Sequence, residues 1–201
     1  SMATLHNIDY IRDKDIQIGD WILLERSGDV IPKVIKSLKE RRVGNEKVFD
    51  MPDFCPVCNQ PTERIPGEVV IRCINQECAG KLIRKLMHFT SKGAIDIQGL
   101  GEKILEKLID NNLVEDVADL FYLTVDQLQR LDGFQGKSAT KLYNEIQSSK
   151  TTQLHKLLFG LGVPHVGQET AEILSNRFNS MELVSNASEG ELNSIPLIGP
   201  K

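Results

Sequence analysis

The chain has 201 residues, of which 40% are hydrophobic and 26% are charged, proportions that are ordinary for a globular protein of one or two domains. No apolar run approaches the roughly 20 residues of a membrane helix. The net charge of −4 argues against nucleic-acid binding by long-range attraction, which needs a basic surface. Residues 1–92 contain 15 basic and 13 acidic side chains, and residues 93–201 contain 9 and 15.

The first block of the chain has the pattern of β-structure. Residues 1–2 are interpreted as a cloning scar and residues 3–53 as strand-forming. Two apolar runs, 21–24 and 30–35, flank Ser27-Gly28-Asp29 and predict a β-hairpin. Because two or three strands rarely form a stable sheet alone, we predict that this block is the C-terminal part of a larger β-domain.

Residues 54–78 contain all four cysteines, in a C-x₂-C and a C-x₄-C pair separated by fourteen residues. This spacing is close to that of zinc sites. Cys55, Cys58, Cys73 and Cys78 supply four thiolates, which in a tetrahedral arrangement suit Zn²⁺. Because four protein ligands leave no open position, we predict one structural zinc ion. Two disulfides and a redox-active pair are the alternatives, although no secretion signal or βαβ pattern supports them.

Residues 79–201 have the apolar spacing of short helices throughout. Two helix starts fit a capping box, namely Thr124 with Gln127 and Ser188 with Glu191. Directly after the cysteines, a basic stripe follows helical spacing. It consists of Lys81, Arg84, Lys85 and His88. Both a solvated helix face and a contact with a phosphate backbone are consistent with this stripe.

The helical block contains a fourfold repeat: an apolar residue, two variable residues, an apolar residue and glycine. The copies are 97–101, 131–135, 163–167 and 195–199, which are spaced by 34, 32 and 32 residues. The second copy has Gln135 at the glycine position, with Gly136 one place later. In the first three copies a small or apolar residue follows at plus four and a leucine at plus seven, on one helix face.

Each copy predicts a tight hairpin that leads into a helix. The two apolar residues would hold the hairpin against the helices, and the glycine would allow either a positive φ or the close approach of another backbone. The free N–H groups of the following helix then form a phosphate site. Lys103, Lys137 and Lys201 lie two residues beyond the glycine position in three copies, where an amine can contact the same phosphate.

The repeat resembles the helix-hairpin-helix motif of DNA repair and replication proteins. The alternative is a helical bundle whose turns only need glycine. Spacings of 32–34 residues also occur in tetratricopeptide and ankyrin arrays, but the signatures of those repeats are absent.

A search for a catalytic nucleophile finds none. The sequence contains no Gly-x-Ser-x-Gly and no Walker motif. Arg130-Leu131-Asp132-Gly133 differs by one residue from the Lys-x-Asp-Gly of nucleotidyltransferases, but arginine stays protonated and cannot attack phosphorus. We therefore expect no enzyme–AMP intermediate on this chain.

The order of these blocks resembles the NAD-dependent DNA ligases of bacteria. Four stretches carry the resemblance: 3–7, 26–32, 137–139 and 162–167, which read Ala-Thr-Leu-His-Asn, Arg-Ser-Gly-Asp-Val-Ile-Pro, Lys-Ser-Ala and Gly-Val-Pro-His-Val-Gly. The fold class expected from it is multidomain α+β. Residues 3–53 would be the C-terminal part of an OB-fold domain, residues 54–78 a small four-cysteine zinc finger, and residues 79–201 an all-α helix-hairpin-helix array truncated in its fourth motif.

The resemblance also implies a DNA-binding surface. Arg26, Val30 and Ile31 would contact the minor groove near a nick, and the zinc finger would link the OB-fold domain to the helical array. The expected contacts of the array are Gly99, Gly101, Lys103, Gly136, Lys137, His165, Gly167, Gly199 and Lys201. The second hairpin has two interpretations: Gly136 restores the backbone freedom lost at Gln135, or that copy is purely structural.

By the same resemblance, the parent enzyme joins a 5′-phosphate to a 3′-hydroxyl in DNA replication and repair. NAD and Mg²⁺ would act in parent domains outside this chain, which lacks the adenylation lysine and would bind nicked duplex without catalysing ligation. We expect a cytoplasmic, nucleoid-associated bacterial monomer. A protein-interaction scaffold, whose acidic helical surface binds a basic partner, is the rival hypothesis.

Overall fold

The computed structural model describes residues 2–25, 32–65, 67–196 and 198. The chain forms two compact units, Ser1–Cys78 and Ala79–Lys201. The first contains short strands and one α-helix, and the second is helical, so the mixed fold class expected from the sequence is confirmed. Five residues expected in the binding surface lie outside the described residues: Arg26, Val30, Ile31, Gly199 and Lys201. No described helix is long and apolar enough to span a bilayer.

The first unit is built from three two-stranded antiparallel sheets. Its elements are α1 (Ile8–Asp13), β1 (Gln17–Ile18), β2 (Ile22–Glu25), β3 (Lys33–Ser37), a 3₁₀ helix (Lys39–Arg41), β4 (Lys47–Val48), β5 (Thr62–Arg64) and β6 (Ile71–Cys73). β1 pairs with β4, β2 with β3 and β5 with β6. The predicted hairpin is confirmed as β2–β3, whose register shifts between Leu23 and Leu24. Within the described residues the sheets do not close into a barrel.

Side-chain hydrogen bonds to main-chain carbonyls fix α1 against β3. Asn7 caps the helix by accepting the Tyr10 N–H, and the Tyr10 hydroxyl donates to the Val34 carbonyl at 2.7 Å. Lys14 donates to the Ile35 carbonyl at 2.7 Å. Val34 itself is fully buried. A short helix and a short strand are therefore held by polar contacts around a very small apolar core.

An ion pair ties the loop after β1 to the chain after the 3₁₀ helix. Arg42 makes two 2.7 Å hydrogen bonds to the Asp20 carboxylate, from Nε to Oδ1 and from Nη2 to Oδ2. Asp20 also accepts the Gln17 N–H at 2.8 Å, and its side chain is completely covered. The hydrogen bonds from Arg42 hold the pKa of Asp20 below its ordinary value of 3.8. Arg42 reaches Asp15 as well, so three segments meet at one guanidinium.

The second unit consists of helices joined by tight turns. Its α-helices are α2 (Ala79–Phe89), α3 (Glu102–Asp110), α4 (Val125–Gln129), α5 (Gly136–Ser148), α6 (Leu154–Gly160), α7 (Gln168–Phe178), α8 (Met181–Ser185) and α9 (Glu189–Asn193), and 3₁₀ helices span Val117–Tyr122 and Ser149–Thr151. Both predicted capping boxes, at Thr124 and Ser188, are present.

The apolar residues of this unit form two cores. The larger core joins α2 to α5 and includes Leu86, Leu105, Leu128 and Ile146. The smaller one joins α6, α7 and the end of α9 and includes Leu158, Leu174 and Ile195. The plus-four and plus-seven residues of the first three copies are all buried: Leu105, Leu108, Ala139, Leu142, Ala171 and Leu174. The four repeats therefore pack as two pairs.

The basic stripe on α2 is divided between two roles. His88 is half-buried, bonds the Phe159 carbonyl at 2.8 Å and packs edge-on against the Phe159 ring. Its ring also lies 3.5 Å from where a Cβ on Gly162 would be. Lys85 forms a salt bridge with Asp116, which leaves Lys81 and Arg84 as the solvated members. Two of the four residues therefore also make contacts within the protein, and a contact of the stripe with a phosphate backbone stays a prediction.

Replacing Asp20 by Asn should destabilise the first unit at neutral pH, because Arg42 loses its anionic partner. The sign follows from the lowered pKa of Asp20: the stabilisation is complete above 3.8 and is lost as the pH falls through the pKa of the folded state. The difference in unfolding free energy between the wild type and Asp20→Asn should therefore decrease towards zero in acid. Fluorescence of Trp21, the single tryptophan, follows unfolding.

Asp13, which is exposed and forms no salt bridge with any described residue, provides the matched control. Asp13→Asn should leave both the stability and its pH dependence unchanged. An Asp20→Asn protein as stable as the wild type at pH 7 contradicts the assignment.

Candidate metal centre and candidate nucleic-acid interface

The four cysteines converge on one point of the first unit. Their sulfur atoms all lie within 4.8 Å of one another. Cys55 and Cys58 come from the loop before β5, Cys73 ends β6, and Cys78 directly precedes α2. Cys55 Sγ lies 3.9 Å from Cys78 Sγ and Cys58 Sγ lies 3.5 Å from Cys73 Sγ. Both separations are close to the roughly 3.8 Å between sulfurs that Zn–S bonds of about 2.3 Å would give in a tetrahedral site.

The same distances are not those of disulfides, which were one of the predicted alternatives. A disulfide has an S–S distance of about 2.05 Å, and all four cysteines are free. Among the described residues, these cysteines are also the one group of three or more metal-capable side chains placed within reach of a common ion.

Backbone N–H groups point at the sulfurs and favour thiolates. The Gln60 N–H lowers the pKa of Cys58 to about 6, and the Cys58 N–H lowers the pKa of Cys55. Burial, followed by the neighbouring thiol of Cys58, raises the pKa of Cys73 to about 11. Four thiolates this close repel one another, so the cluster is suited to a cation that neutralises them.

The repeated pattern of the second unit corresponds to a four-residue turn. We call these turns 1 to 4; they span residues 97–100, 131–134, 163–166 and 195–198. In each turn the N–H of the fourth residue donates to the carbonyl of the first, at distances between 3.0 and 3.4 Å. The third residue of turns 1 to 3 has a positive φ: Gly99 92°, Gly133 83° and His165 67°. Positive φ at this position is what a type II turn requires, and Pro164 and Pro196 occupy the second position that favours proline.

Gly101 and Gly167, which close the first and third patterns, do not have a positive φ, so at these two positions that one of the two predicted reasons for glycine is wrong. Gly101 and Gly167 are the N-caps of α3 and α7, with φ of −81° and −80°. Gln135 caps α5 with a similar extended φ of −124°. Gly136 is the first residue of α5 and has no positive φ either, so it restores no backbone freedom. The positive φ occurs instead at the third residue of the turn, two residues before the N-cap, at Gly99 and Gly133.

Two of the helices that follow the turns, α3 and α7, lack side-chain caps, in contrast to most others. Gly101 and Gly167 make no side-chain cap hydrogen bond, whereas at the start of α5 the Ser138 hydroxyl accepts the Gln135 N–H at 3.1 Å in a capping box. Elsewhere, Asn7, Asp116, Thr124, Ser180 and Ser188 all cap their helices with a side-chain oxygen; α6 is a further uncapped helix. The first N–H groups of α3 and α7 therefore remain open to an external acceptor.

The predicted lysines lie near the starts of the helices after turns 1 and 2. Lys103 and Lys137 are exposed in the first turns of α3 and α5. The corresponding residue of α7 is Glu169, so turn 3 has no such lysine. Turn 3 also differs in its anchoring: Val163, expected to pin the hairpin, is 48% exposed, whereas Ile97 is buried. His165, the third residue of turn 3, is exposed as well.

Three residues beside the turns were not predicted. Gly133 occupies the position of Gly99 in the second copy, and aligning the copies two residues before the closing glycine would have found it. Lys107 and Lys141 lie six residues after Gly101 and Gln135 respectively. The repeat places them at equivalent positions, but only the packing distinguishes what the two amines contact.

A tetrathiolate centre followed by turns that lead into uncapped helices defines a zinc-finger and helix-hairpin-helix protein. Family models agree along the chain. Residues 1–46 match the NAD-dependent DNA ligase OB-fold domain, 54–79 its C4 zinc finger domain, 92–148 a SAM-like helix-hairpin-helix tandem and 156–201 a helix-hairpin-helix motif. The chain therefore carries the OB-fold, zinc-finger and helix-hairpin-helix domains of the NAD-dependent DNA ligases, and the resemblance seen in the sequence is confirmed.

Curated relatives agree with this assignment. The chain is 48% identical over 201 residues to a DNA ligase of Thermotoga neapolitana, an alignment that covers 99% of this chain and 29% of that protein. It is 46% identical over 199 residues to a DNA ligase of Anoxybacillus flavithermus, covering 99% of this chain and 30% of the relative. The chain thus spans less than a third of the length of these relatives.

Backbone geometry predicts that substitutions at two glycines near turn 1 change the stability of the protein by different amounts. Gly99→Ala should cost about 1–2 kcal/mol, because a Cβ at φ 92° meets the following carbonyl oxygen. Gly101→Ser should change the stability by no more than a few tenths of a kcal/mol, because its φ suits any residue, no atom lies within 4 Å of a new Cβ, and serine is a good N-cap. Urea unfolding followed by far-ultraviolet circular dichroism measures both. A larger loss for Gly101→Ser than for Gly99→Ala would overturn this assignment.

Proposed function

We propose that this chain is the non-catalytic, DNA-gripping section of an NAD-dependent DNA ligase and that it binds nicked duplex mainly through backbone phosphates. The observation that carries the proposal is the open N-terminus of the helices after turns 1 and 3. The helices whose N-cap residues are Gly101 and Gly167 present uncapped N–H groups. Together with the positive end of the helix dipole, these groups attract a phosphate.

Glycine at these two caps has no internal explanation. Its φ is accessible to any residue, and a Cβ at Gly101 or Gly167 would meet nothing within 4 Å. Serine or threonine would stabilise the helix more, as at Thr124 and Ser188. A side-chain oxygen, however, would occupy the N–H groups and the space above them. A cap left bare at the expense of stability supports an external ligand that approaches the backbone closely.

The charge of the chain indicates how the duplex is held. Because the net charge of the chain is −4, long-range attraction to phosphates contributes little to binding. The affinity therefore has to come from short contacts at the turns. Lys103 and Lys137 lie in the first turns of the helices after turns 1 and 2 and supply cations there. His165 is exposed where turns 1 and 2 have glycine, so turn 3 offers an imidazole in place of a lysine. Gly199 and Lys201 would serve the fourth motif in the same way.

The first unit would contribute through its OB-fold and its metal. Arg26, Val30 and Ile31 are proposed to contact the minor groove near the nick. Cys55, Cys58, Cys73 and Cys78 are proposed to hold one structural zinc ion, which the tetrahedral sulfur separations and the thiolate-favouring N–H groups support. Four sulfur ligands leave no open coordination position, so the ion would stabilise the fold and take no part in chemistry.

Ligation itself is assigned to the parent enzyme. We propose that it joins a 5′-phosphate to a 3′-hydroxyl with NAD as adenylate donor and Mg²⁺ in domains outside this chain, in bacterial replication and repair. The chain contains no Lys-x-Asp-Gly sequence and would not form an adenylate. A monomer that acts at the nucleoid in the cytoplasm fits this role. The domain limits proposed are 3–53, 54–78 and 79–201.

Substituting both bare caps tests the DNA-binding proposal. Gly101→Ser with Gly167→Ser should weaken binding to a nicked duplex about tenfold, because the hydroxyls take the N–H groups that would bind phosphate, each worth up to about 1 kcal/mol. Fluorescence anisotropy over a salt series gives the affinity and, from a slope of about 0.9 per phosphate, the number of contacts. Intact duplex and single strands measure the preference for a nick.

Gly190→Ser is the matched control, since Gly190 lies in α9 and a Cβ there also meets nothing. It should bind like the wild type. If the double variant keeps full affinity, the helix N-termini do not bind phosphate. If the wild type binds no duplex even at low salt, the chain alone does not grip DNA, and a protein partner becomes the better hypothesis.

Removing one sulfur tests the metal centre. Cys73→Ser should lower the zinc content from one ion per chain to nearly none, measured by atomic absorption, and should lower the melting temperature of the first unit, because metal binding contributes folding energy. A strong chelator should reproduce the effect in the wild type, and added zinc should reverse it there but not in the variant. Metal retained in Cys73→Ser, or a melt insensitive to the chelator, would contradict the proposal.

A further inference from the structure

The first two repeats pack reciprocally, each turn against the second helix of the other repeat. A Cβ on Gly99 in turn 1 would lie 3.5 Å from the Leu142 side chain of α5. A Cβ on Gly133 in turn 2 would lie 3.7 Å from the Lys107 amine of α3. Lys107 and Lys141 hold the same position in their repeats, six residues after the N-cap. Each lysine therefore belongs to the helix that faces the other repeat's turn.

The two lysines differ in what they contact. Lys107 donates to the main-chain carbonyl of Asp132 in turn 2 at 2.5 Å, and its amine lies 3.7 Å from the Asp132 carboxylate. Its charge is therefore used within the protein, where it anchors turn 2 and offsets an aspartate that would repel a phosphate.

Lys141 has no such partner. The residue of turn 1 equivalent to Asp132 is Gln98, which carries no charge. Lys141 is exposed, and no carboxylate of the described residues lies within 4 Å of its amine; Glu145, one turn further along α5, forms no ion pair with it. It stands at the rim of a shallow cavity of about 300 Å³ between the two repeats. The cavity is lined by Gln98, Gly99, Ile104, Phe134, Ser138 and Leu142.

We propose that Lys141 is a phosphate ligand supplied by the second repeat to the phosphate held at turn 1, and that the cavity beside it receives the sugar of the same nucleotide. The apolar floor, with Ile104 and Phe134, suits the hydrophobic face of a deoxyribose, and Gln98 and the amine of Lys141 suit its phosphate. Turn 2, with Asp132 already paired to Lys107, is the weaker phosphate site of the pair. This inference rests on the proposed function, because it requires that the array binds DNA.

The test compares three lysine variants of the whole chain with nicked duplex by anisotropy across a salt series. Lys141→Ala should weaken binding about fivefold and lower the salt slope by about 0.9, the value for one lost phosphate contact. Lys141→Arg keeps the charge and should bind within twofold of the wild type. Lys150→Ala removes the same charge from an exposed position beyond the far end of α5, about 13 Å along the helix, and should change the slope little.

Each remaining outcome decides the matter. If Lys141→Ala binds DNA like Lys150→Ala, the role assigned to Lys141 is overturned. If the Gly101→Ser, Gly167→Ser protein has lost affinity in the same experiment, the proposed function still holds without it. Lys107→Ala should lower the thermal stability of the helical unit and leave the slope unchanged; if it lowers the slope and Lys141→Ala does not, the two roles are reversed and the proposal fails. A wild-type chain that binds no duplex overturns both proposals together.

Discussion

A hydrogen bond from the fourth to the first residue of each turn is the constraint on which the helical unit depends. In turns 1 to 3 this bond is combined with the positive φ of a type II turn at the third residue, which is why Gly99 and Gly133 are glycines and why His165 is held in a conformation that bulky residues rarely adopt. The bond also reverses the chain tightly enough that the next helix starts at the surface with its first N–H groups facing outward. Turn geometry thus determines both the packing of the repeat and the availability of its backbone donors.

The same constraint explains how stability and function are divided between helices. Most α-helices away from the turns, namely α1, α4, α8 and α9, satisfy a first N–H group with an asparagine, threonine or serine side chain, and α3 and α7 do not. The uncapped helices are instead stabilised by their buried faces, where Leu105, Leu108 and Leu174 are almost completely covered. Tertiary packing therefore replaces a local cap, and the bare N–H groups remain free for a ligand.

The first unit has little apolar core and depends on polar and sulfur contacts. Arg42 joins three segments through Asp15 and Asp20, side-chain hydrogen bonds hold α1 on β3, and four sulfurs converge within 4.8 Å. Several apolar side chains of β2 remain exposed. Small folds of this kind usually require an additional constraint such as a metal, which is consistent with the proposed zinc ion.

The sequence alone determined the features that depend on spacing. Cysteine spacing predicted a tetrathiolate centre, the repeat predicted four hairpins, and the plus-four and plus-seven residues predicted the buried helix face, because these patterns act within one turn or one helix. What neighbouring elements contribute could not be derived in this way. The positive φ falls at Gly99 and not at Gly101, His88 serves the joint with α6, and Lys107 is paired while Lys141 is not. The first is set by the local geometry of turn 1, whereas the other two depend on residues far away in sequence that only the tertiary structure brings into contact.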